Sequence, residues 1–392
     1  MRNDSAGVTI EVQGTRASVD TFIARLSIDA PPHARIDHLH AAELYPTAQA
    51  RTFSVLPSER LDASTASIPA DLCTCAACLA ELFDPADRRY RYPFINCTDC
   101  GPRFTISRGV PYDRAATTMA AFTMCDACQR EYDDPGDRRF HAQPNACPVC
   151  GPHASLVARD GAAIELGRAS DAVSAAADAL RRGAIVAVKG LGGYHLACRA
   201  NDDAAVQRLR VRKRREAKPF AVMVASFAAA LELVHLEDDE QRMLQRDSRP
   251  IVLARARSDA PSAPSVAPGR TEIGVMLPYT PLHHLLLADV GAPLVMTSGN
   301  VVDEPIAFRD DDALERLSAI ADLCLVHDRA IEARCEDSVM RIVSIAGVRQ
   351  PMFIRRSRGY VPDPVTLPMR VSEPVLAVGG QLKNTAAIAR GD

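Results

Sequence analysis

The sequence predicts a multidomain protein of the α+β and α/β classes, and three observations carry that prediction. Beyond about residue 165 apolar segments alternate between helical and strand periodicity, the pattern of a mixed α/β domain. Before it lies a stretch poor in apolar runs that holds nine of the chain's twelve cysteines, eight of them in two copies of one spacing. The length of 392 residues allows two or three domains at ~150 residues each.

Residues 1–58 read as a small α+β unit. VTIEVQG (8–14) alternates like a half-buried strand, and Ser18 and Asp20 offer N-caps to a helix carrying Val19, Phe22, Ile23 and Leu26 on one face. Pro31 and Pro32 break the chain, after which RIDHLHAAEL and TFSVL are expected as further strands. So short a segment makes a thin core.

Residues 60–155 form the cysteine module. CAACLAELFDPADRRYRYPFINCTDCGPRF (75–104) and CDACQREYDDPGDRRFHAQPNACPVCGPHA (125–154) share a DPxDRR core, a terminal CGP and the spacing C-x2-C-x18-C-x2-C. This is a duplication with a period of 50 residues. A CxxC turn aims two thiolates at one point, and two such turns close a tetrahedral S4 site. Cys75, Cys78, Cys97 and Cys100, with Cys125, Cys128, Cys147 and Cys150, therefore predict two structural zinc ions. The spacing leaves open whether the knuckles pair within each repeat or across the two. Cys73 falls outside the register, and His141 is a competing ligand.

From 165 to 360 the α/β texture is continuous. SDAVSAAADALRRG is an amphipathic helix closed by Gly183, followed by the buried strand AIVAVKG (184–190). DDAAVQRLRVRKR is read as helix, PFAVMVA as strand, LPYTPLHHLLLAD as a turn into helix and APLVMTSGN as strand. The Pro/Ser/Ala-rich segment 255–272 is expected as a surface loop, and RGYVPDPVTLP (358–368) as a linker. Residues 370–392 begin another strand and glycine turn.

Net charge is −3, which excludes a generally basic nucleic-acid coat. No run of ~18 apolar residues and no signal-peptide pattern is present, so a cytoplasmic protein without a membrane is expected. Of 46 basic residues four are lysines: Lys189, Lys213, Lys218 and Lys383. Two of them lie in RLRVRKRREAKPF (208–220), where Arg208, Arg210, Arg212, Lys213, Arg214, Arg215 and Lys218 crowd together. Such a run is a solvated face, a nucleic-acid footprint or an oligophosphate cradle. It leads into the strand PFAVMV, so its end reaches a sheet edge, where α/β folds bind ligands. TSGN (297–300) ends another strand and supplies Ser298 and Asn300, and the two strand ends together suit a nucleoside triphosphate. No GxxxxGK[ST] occurs, which excludes a P-loop enzyme.

KGLGGYHLAC, RKRREAKPFAVM, LPYTPLHHLLL, VMTSGN, HDRAI and RCEDSV, in that order after the duplicated cysteine module, resemble the HypF family of hydrogenase-maturation carbamoyltransferases. The resemblance runs over roughly residues 60–365. It implies a YrdC-like nucleotide-binding domain at 165–360 and, at 1–58, a partial acylphosphatase-like unit of ferredoxin type. VLAVGGQLKNT then resembles the opening of an actin-like carbamoyltransferase domain. The implied activity is ATP-dependent activation of carbamoyl phosphate to carbamoyl-adenylate. The carbamoyl group would pass to the C-terminal cysteine of a HypE-type acceptor, for the cyanide ligand of [NiFe]-hydrogenase.

On this resemblance Lys213, Arg215 and Lys218 would offset charge on the phosphates, with magnesium, and Ser298 and Asn300 would orient the reacting groups. Arg334, Asp337 and Ser338 would close the site, and Lys189, Arg212 and Thr297 would border it. Tyr194 and His195 would line it, although His195 reads equally as a satisfied structural histidine. Glu216 stands where the family often has proline. Asn3 takes the place of the acylphosphatase asparagine, but the phosphate loop and its arginine are expected upstream, so carbamoyl phosphate hydrolysis by this segment is not expected. The transfer site is likewise expected beyond residue 392. Two other readings remain: an RNA-binding module of zinc knuckles and basic helix, double-stranded RNA included, and a catalytically dead scaffold.

Overall fold

Where apolar residues alternate, the chain becomes sheet, and where they recur every three or four residues it becomes helix. The computed structural model describes residues 1–392 apart from 5, 6, 32, 35, 37, 47–52, 60–67, 303, 380–384 and 392, so Lys383 lies outside the described residues.

The first unit is a three-stranded sheet in the order β2-β1-β3. β1 (Arg2–Asp4) pairs antiparallel with β2 (Gly7–Thr9), and α1 (Arg16–Ile28) connects toward β3 (Leu56–Glu59), which runs parallel to β1. Three expectations change here. β2 stops at Thr9, because β1 offers it only three residues to pair with. Thr15 caps α1, accepting from the Ser18 amide, while Ser18 and Asp20 lie inside the helix and Asp20 pairs with Arg16. The described residues of 36–46 form no strand, and of TFSVL the last residue, Leu56, opens β3.

The cysteine module contains two short helices, α2 (Ala76–Phe83) and α3 (Asp126–Asp133), held by turns. Each starts directly after the first cysteine of a knuckle, with Cys75 and Cys125 at the N-cap positions. The two copies follow one backbone path: Arg91 and His141, 50 residues apart, both take left-handed φ values, 56° and 52°.

The chain then enters the large sheet directly. In order come β4 (Ala154–Ala158), α4 (Ala172–Arg181), β5 (Val186–Lys189), β6 (Tyr194–Arg199), α5 (Asp203–Lys213) and β7 (Ala221–Met223). There follow α6 (Phe227–Leu233), β8 (Val234–His235), α7 (Asp238–Leu244), β9 (Ile251–Ala256) and β10 (Glu272–Met276). The last are α8 (Pro281–Val290), β11 (Leu294–Ser298), α9 (Asp310–Leu317), β12 (Leu323–His327), β13 (Val339–Ile345) and β14 (Val348–Arg355). Eleven strands form one mixed sheet, ordered β14-β13-β9-β10-β7-β11-β6-β5-β12-β4, with β8 beside β9.

Period-two alternation sorts the core into two layers. Val186, Val188, Leu294 and Met296 face α4, α8 and the cysteine module, so Leu82, Phe94, Ile95 and Ile106 share that core. Ala187, Val222, Val275 and Val295 face the opposite way, onto α5, α6 and α9. Arg91 ties the module down, its guanidinium meeting Asp171 at the α4 N-cap (2.7 Å) and Asp289 on α8 (2.6 Å).

The segment expected as a surface loop at 255–272 is more integral than its composition suggested. Ala263 and Val266 are buried, and the Val266 carbonyl accepts from the Phe220 amide. Beyond β14, β15 (Val371–Val378) and β16 (Ala386–Gly391) make a separate hairpin. No helix among the described residues is long and apolar enough to cross a membrane.

Candidate metal centres and cationic cleft

Each repeat closes its own cluster. The sulfurs of Cys75, Cys78, Cys97 and Cys100 form one group, and those of Cys125, Cys128, Cys147 and Cys150 the other. Around the first, Cys75–Cys97, Cys97–Cys100 and Cys100–Cys78 are separated by 3.7, 3.8 and 3.5 Å. The corresponding separations in the second are 3.8, 3.8 and 3.6 Å. A tetrahedron with metal–sulfur bonds of ~2.3 Å has edges of ~3.8 Å, so both donor sets fit a zinc ion. Backbone amides point at the sulfurs as such knuckles require: Cys78 N to Cys75 at 3.5 Å and Asp99 N to Cys97 at 3.4 Å. His141 lies outside the cluster against Tyr132 and Phe140, and Cys73 turns to Asp247.

What crosses between the repeats is arginine. Arg138 of the second repeat places Nη1 3.2 Å from Cys78 Sγ, and Arg88 of the first places Nη2 3.3 Å from Cys128 Sγ. Behind them Arg89, 1% exposed, binds Glu131 on α3 and the Ala146 carbonyl. Arg139 in turn binds Glu81 on α2 and the Asn96 carbonyl. The DRR motif of each copy thus serves the metal ligands and helix of the other.

A second candidate site lies at the ends of the interior strands β7, β11 and β6, not at the sheet edge expected from the sequence. α5 delivers Lys213 into the core, 2% exposed, where Nζ donates to the Ser298 carbonyl (2.7 Å), the Asn300 carbonyl (2.6 Å) and Asn300 Oδ1 (3.1 Å). Ser298 Oγ donates to Asn300 Oδ1 at 2.6 Å. The lysine is therefore the fastener of the TSGN turn. Thr297 is buried one residue earlier, opposite Leu196. Ser298 is opposite His195 in the ladder, and His195 Nε2 meets Asp337 Oδ2 at 2.8 Å. Arg358, 3% exposed, donates Nε to Asp337 Oδ1 at 2.8 Å and lies 3.5 Å over the Tyr279 ring. Burial alone would raise the Asp337 carboxyl, but Arg358 and His195 hold it well below the usual range.

Beyond this network the cations collect. Arg215 donates to the Lys218 and Pro219 carbonyls, and Arg355 donates Nε to the Asp337 carbonyl at 2.7 Å. Burial, then Arg210 and Arg355, push the Arg215 guanidinium down to about 10. Burial, then Arg215 and Arg355, lower the Lys218 ammonium below its ordinary value, with Glu336 the carboxylate that opposes them. Mutual repulsion of this kind is relieved by an anion. The exposed Arg334 and the nearby Glu336 belong to the segment that approaches this site, while Ser338 is buried, binding the Arg358 carbonyl and the Ser357 amide.

Other expected members stand elsewhere. Arg212 turns away to Asp322 Oδ1 (2.7 Å) and the Ile320 carbonyl, and Arg208 to the Gly183 carbonyl. Lys189 and Tyr194 both engage Asp310, at 2.6 Å each. Asn3 stays in the first unit, opposite Val8. Arg208, Arg210, Arg212 and Lys213 each find partners within the chain, so the run does not act as one free patch, although Arg208 remains exposed. Arg355 and Arg358 escaped the sequence reading, although three arginines in FIRRSRGY were a signal for them.

Comparison with known proteins agrees with this layout. Family models match at 1–55 (Acylphosphatase), at 74–107 and 124–157 (HypF finger) and at 178–357 (Telomere recombination, the Sua5/YciO/YrdC model). The chain is 50% identical to carbamoyltransferase HypF of Synechocystis over 390 residues, 100% of this chain and 50% of that protein. It superposes on a crystal structure of full-length HypF in its phosphate- and nucleotide-bound form with a TM-score of 0.91. That match has 43% identity and covers 100% of this chain and 50% of the other. Threonylcarbamoyl-AMP synthase of Chromohalobacter salexigens is 30% identical over 175 residues, 44% of this chain and 92% of that protein. The chain spans about half the length of the HypF relatives it matches.

Proposed function

The chain belongs to the HypF family, and from that premise we propose that it carries the nucleotide-activating part of a carbamoyltransferase. The reaction is formation of carbamoyl-adenylate: a carbamate oxygen, derived from carbamoyl phosphate, attacks the α-phosphorus of ATP and pyrophosphate leaves. The carbamoyl group is destined for the C-terminal cysteine of a HypE-type protein, in synthesis of the cyanide ligand of [NiFe]-hydrogenase.

The observation that carries this reading is the mutually repelling cluster of Arg215, Lys218 and Arg355. It is joined to the Ser298–Asn300 turn through Asp337, which Arg355 and His195 both bind, and through His195, which lies opposite Ser298. As the α-phosphorus is attacked, charge grows on its oxygens and on the departing pyrophosphate. Cations already fixed in a partly desolvated cleft stabilise that charge without reorganising. Magnesium bound with the nucleotide would supply further positive charge on the phosphates. Lys213 contributes by holding the Ser298–Asn300 turn in shape, a positioning role. That one relative was crystallised with phosphate and nucleotide, and another is a threonylcarbamoyl-AMP synthase, supports ATP and an adenylate.

We further infer two structural zinc ions, one per repeat. With four thiolates each, the sites leave no open position for substrate.

The test is pyrophosphate release from MgATP by the zinc-loaded chain supplied with ammonium carbamate. Carbamate-dependent release is expected, and its absence overturns the reading.

A further inference from the structure

Arg329 follows β12 and is 6% exposed, yet its guanidinium has neither a hydrogen bond nor an ion pair among the described residues. Its one close partner is the face of Phe94, 5.1 Å away. Five donors in a planar fork, with little access to water and no acceptor among the described residues, suit an anion. Burial pushes this guanidinium down to about 10, against the pull of Tyr92, Asp71, Tyr112 and Asp328.

Arg329 also lines a small cavity between the cysteine module and the α/β domain, and the Phe94 ring under its guanidinium is part of the same lining. Phe94, Ile95 and Pro102 form one wall, and Leu191 and Tyr279 the other. It is small, with room for about one or two waters. The space therefore limits a ligand to about the size of formate. Its walls are mainly apolar, with one cation. A phosphate dianion is too large and needs more donors than one arginine brings. A planar monoanion of carboxylate or carbonate type matches the fork bidentately and tolerates apolar neighbours.

We propose that Arg329 and this interdomain cavity form a binding site for a small planar oxyanion of the carboxylate or carbonate class. Neither Arg215 nor Lys218 lines it, so it lies apart from the clustered cations, with Tyr279 shared between this cavity and the Arg358–Asp337 network. The cysteine module thereby supplies half of a ligand site in addition to bracing the fold.

The probe is ¹³C-formate, titrated by NMR against the zinc-loaded full chain without nucleotide. Saturable binding is expected, weakened roughly tenfold to a hundredfold in Arg329→Gln and less in Arg329→Lys. Melting temperature and zinc content show whether each variant is folded. If Arg329→Gln fails to fold, Leu191→Phe, which fills the cavity and leaves the guanidinium in place, is expected to block formate. The Arg215→Ala variant is expected to bind formate as well as the wild type does. The proposal is overturned if formate does not bind the wild type, if Leu191→Phe and a folded Arg329→Gln still bind it, or if Arg215→Ala abolishes binding. Because no nucleotide is present, this outcome is independent of adenylate formation.

Discussion

Arg138 Nη1 lies 3.2 Å from Cys78 Sγ, so an arginine of the second repeat rests on the thiolates of the first; Arg88 answers it at 3.3 Å from Cys128 Sγ. Each S4 site is complete within its own repeat, and each draws its outer support from the other copy. Four thiolates around a divalent ion carry excess negative charge, and a guanidinium donating to them offsets part of it. The duplication thus yields an interlocked pair in place of two independent beads.

Arg138→Met is expected to weaken zinc at the Cys75/Cys78/Cys97/Cys100 site by ~10- to 100-fold while sparing the other site. Competition with a chromophoric chelator should resolve one loosened zinc per chain. Two equally loosened zincs, or none, would contradict the crossed arrangement.

Asp337→Asn should destabilise the chain by about 3–5 kcal/mol, because it leaves the buried Arg358 without its counter-charge beside Tyr279. Urea unfolding at saturating zinc measures this, and a loss within about 0.5 kcal/mol, as for a surface site, would refute the buried pair.

Lys213 and Lys218 lie five residues apart in the basic run but differ in fate, and so should their variants. Lys213→Met removes the donor from three oxygens of the 298–300 turn and is expected to cost stability along with nucleotide affinity. Lys218→Met, at an exposed position, should lower affinity for pyrophosphate and leave the unfolding midpoint unchanged. Calorimetric titration paired with urea unfolding separates the two. Identical profiles would count against the assignment.

Burial, then Arg249, lowers His284 to about 4, and burial holds His283 and His327 well below the ordinary histidine value. The unfolded chain takes up protons near pH ~6.5 that the folded chain refuses, so stability is intact above that pH and falls as pH drops toward about 4. Each such histidine contributes a slope approaching ~1.4 kcal/mol per pH unit. His284→Gln should flatten the decline by about one such slope, measured from urea midpoints at several pH values. An unchanged slope would show that His284 is not held neutral.

Sequence spacing was enough to read the two S4 sites, because a CxxC turn is local and its geometry follows from three bonds of chain. Which knuckles close on each other was not legible, nor was the exchange of arginines, since both depend on how two copies dock. The strand ends at Ser298 and at Pro219–Phe220 were legible from periodicity, but β7 and β11 are interior strands, so the site lies at strand ends and not at a sheet edge. The basic run misled in one respect. Successive residues of α5 point in different directions around its axis, so Arg208 and Arg212 turn to Gly183 and Asp322 while Lys213 enters the core. Composition alone counts them as one patch. FIRRSRGY signalled charge but not which of its arginines is buried, and nothing local marked Arg329, because the partners that give Arg329 and Arg358 meaning come from distant parts of the chain.

Adenylate formation is tested most directly by following oxygen. With ¹⁸O-labelled carbamate and unlabelled MgATP, attack of the carbamate oxygen on the α-phosphorus joins that oxygen to AMP. It stays there when the carbamoyl–oxygen bond later breaks. Mass spectrometry of AMP from the zinc-loaded chain should find one ¹⁸O in its phosphoryl group, and the label should vanish in an Arg215→Ala, Lys218→Ala double variant. AMP that forms without label, or no AMP at all, would contradict the account.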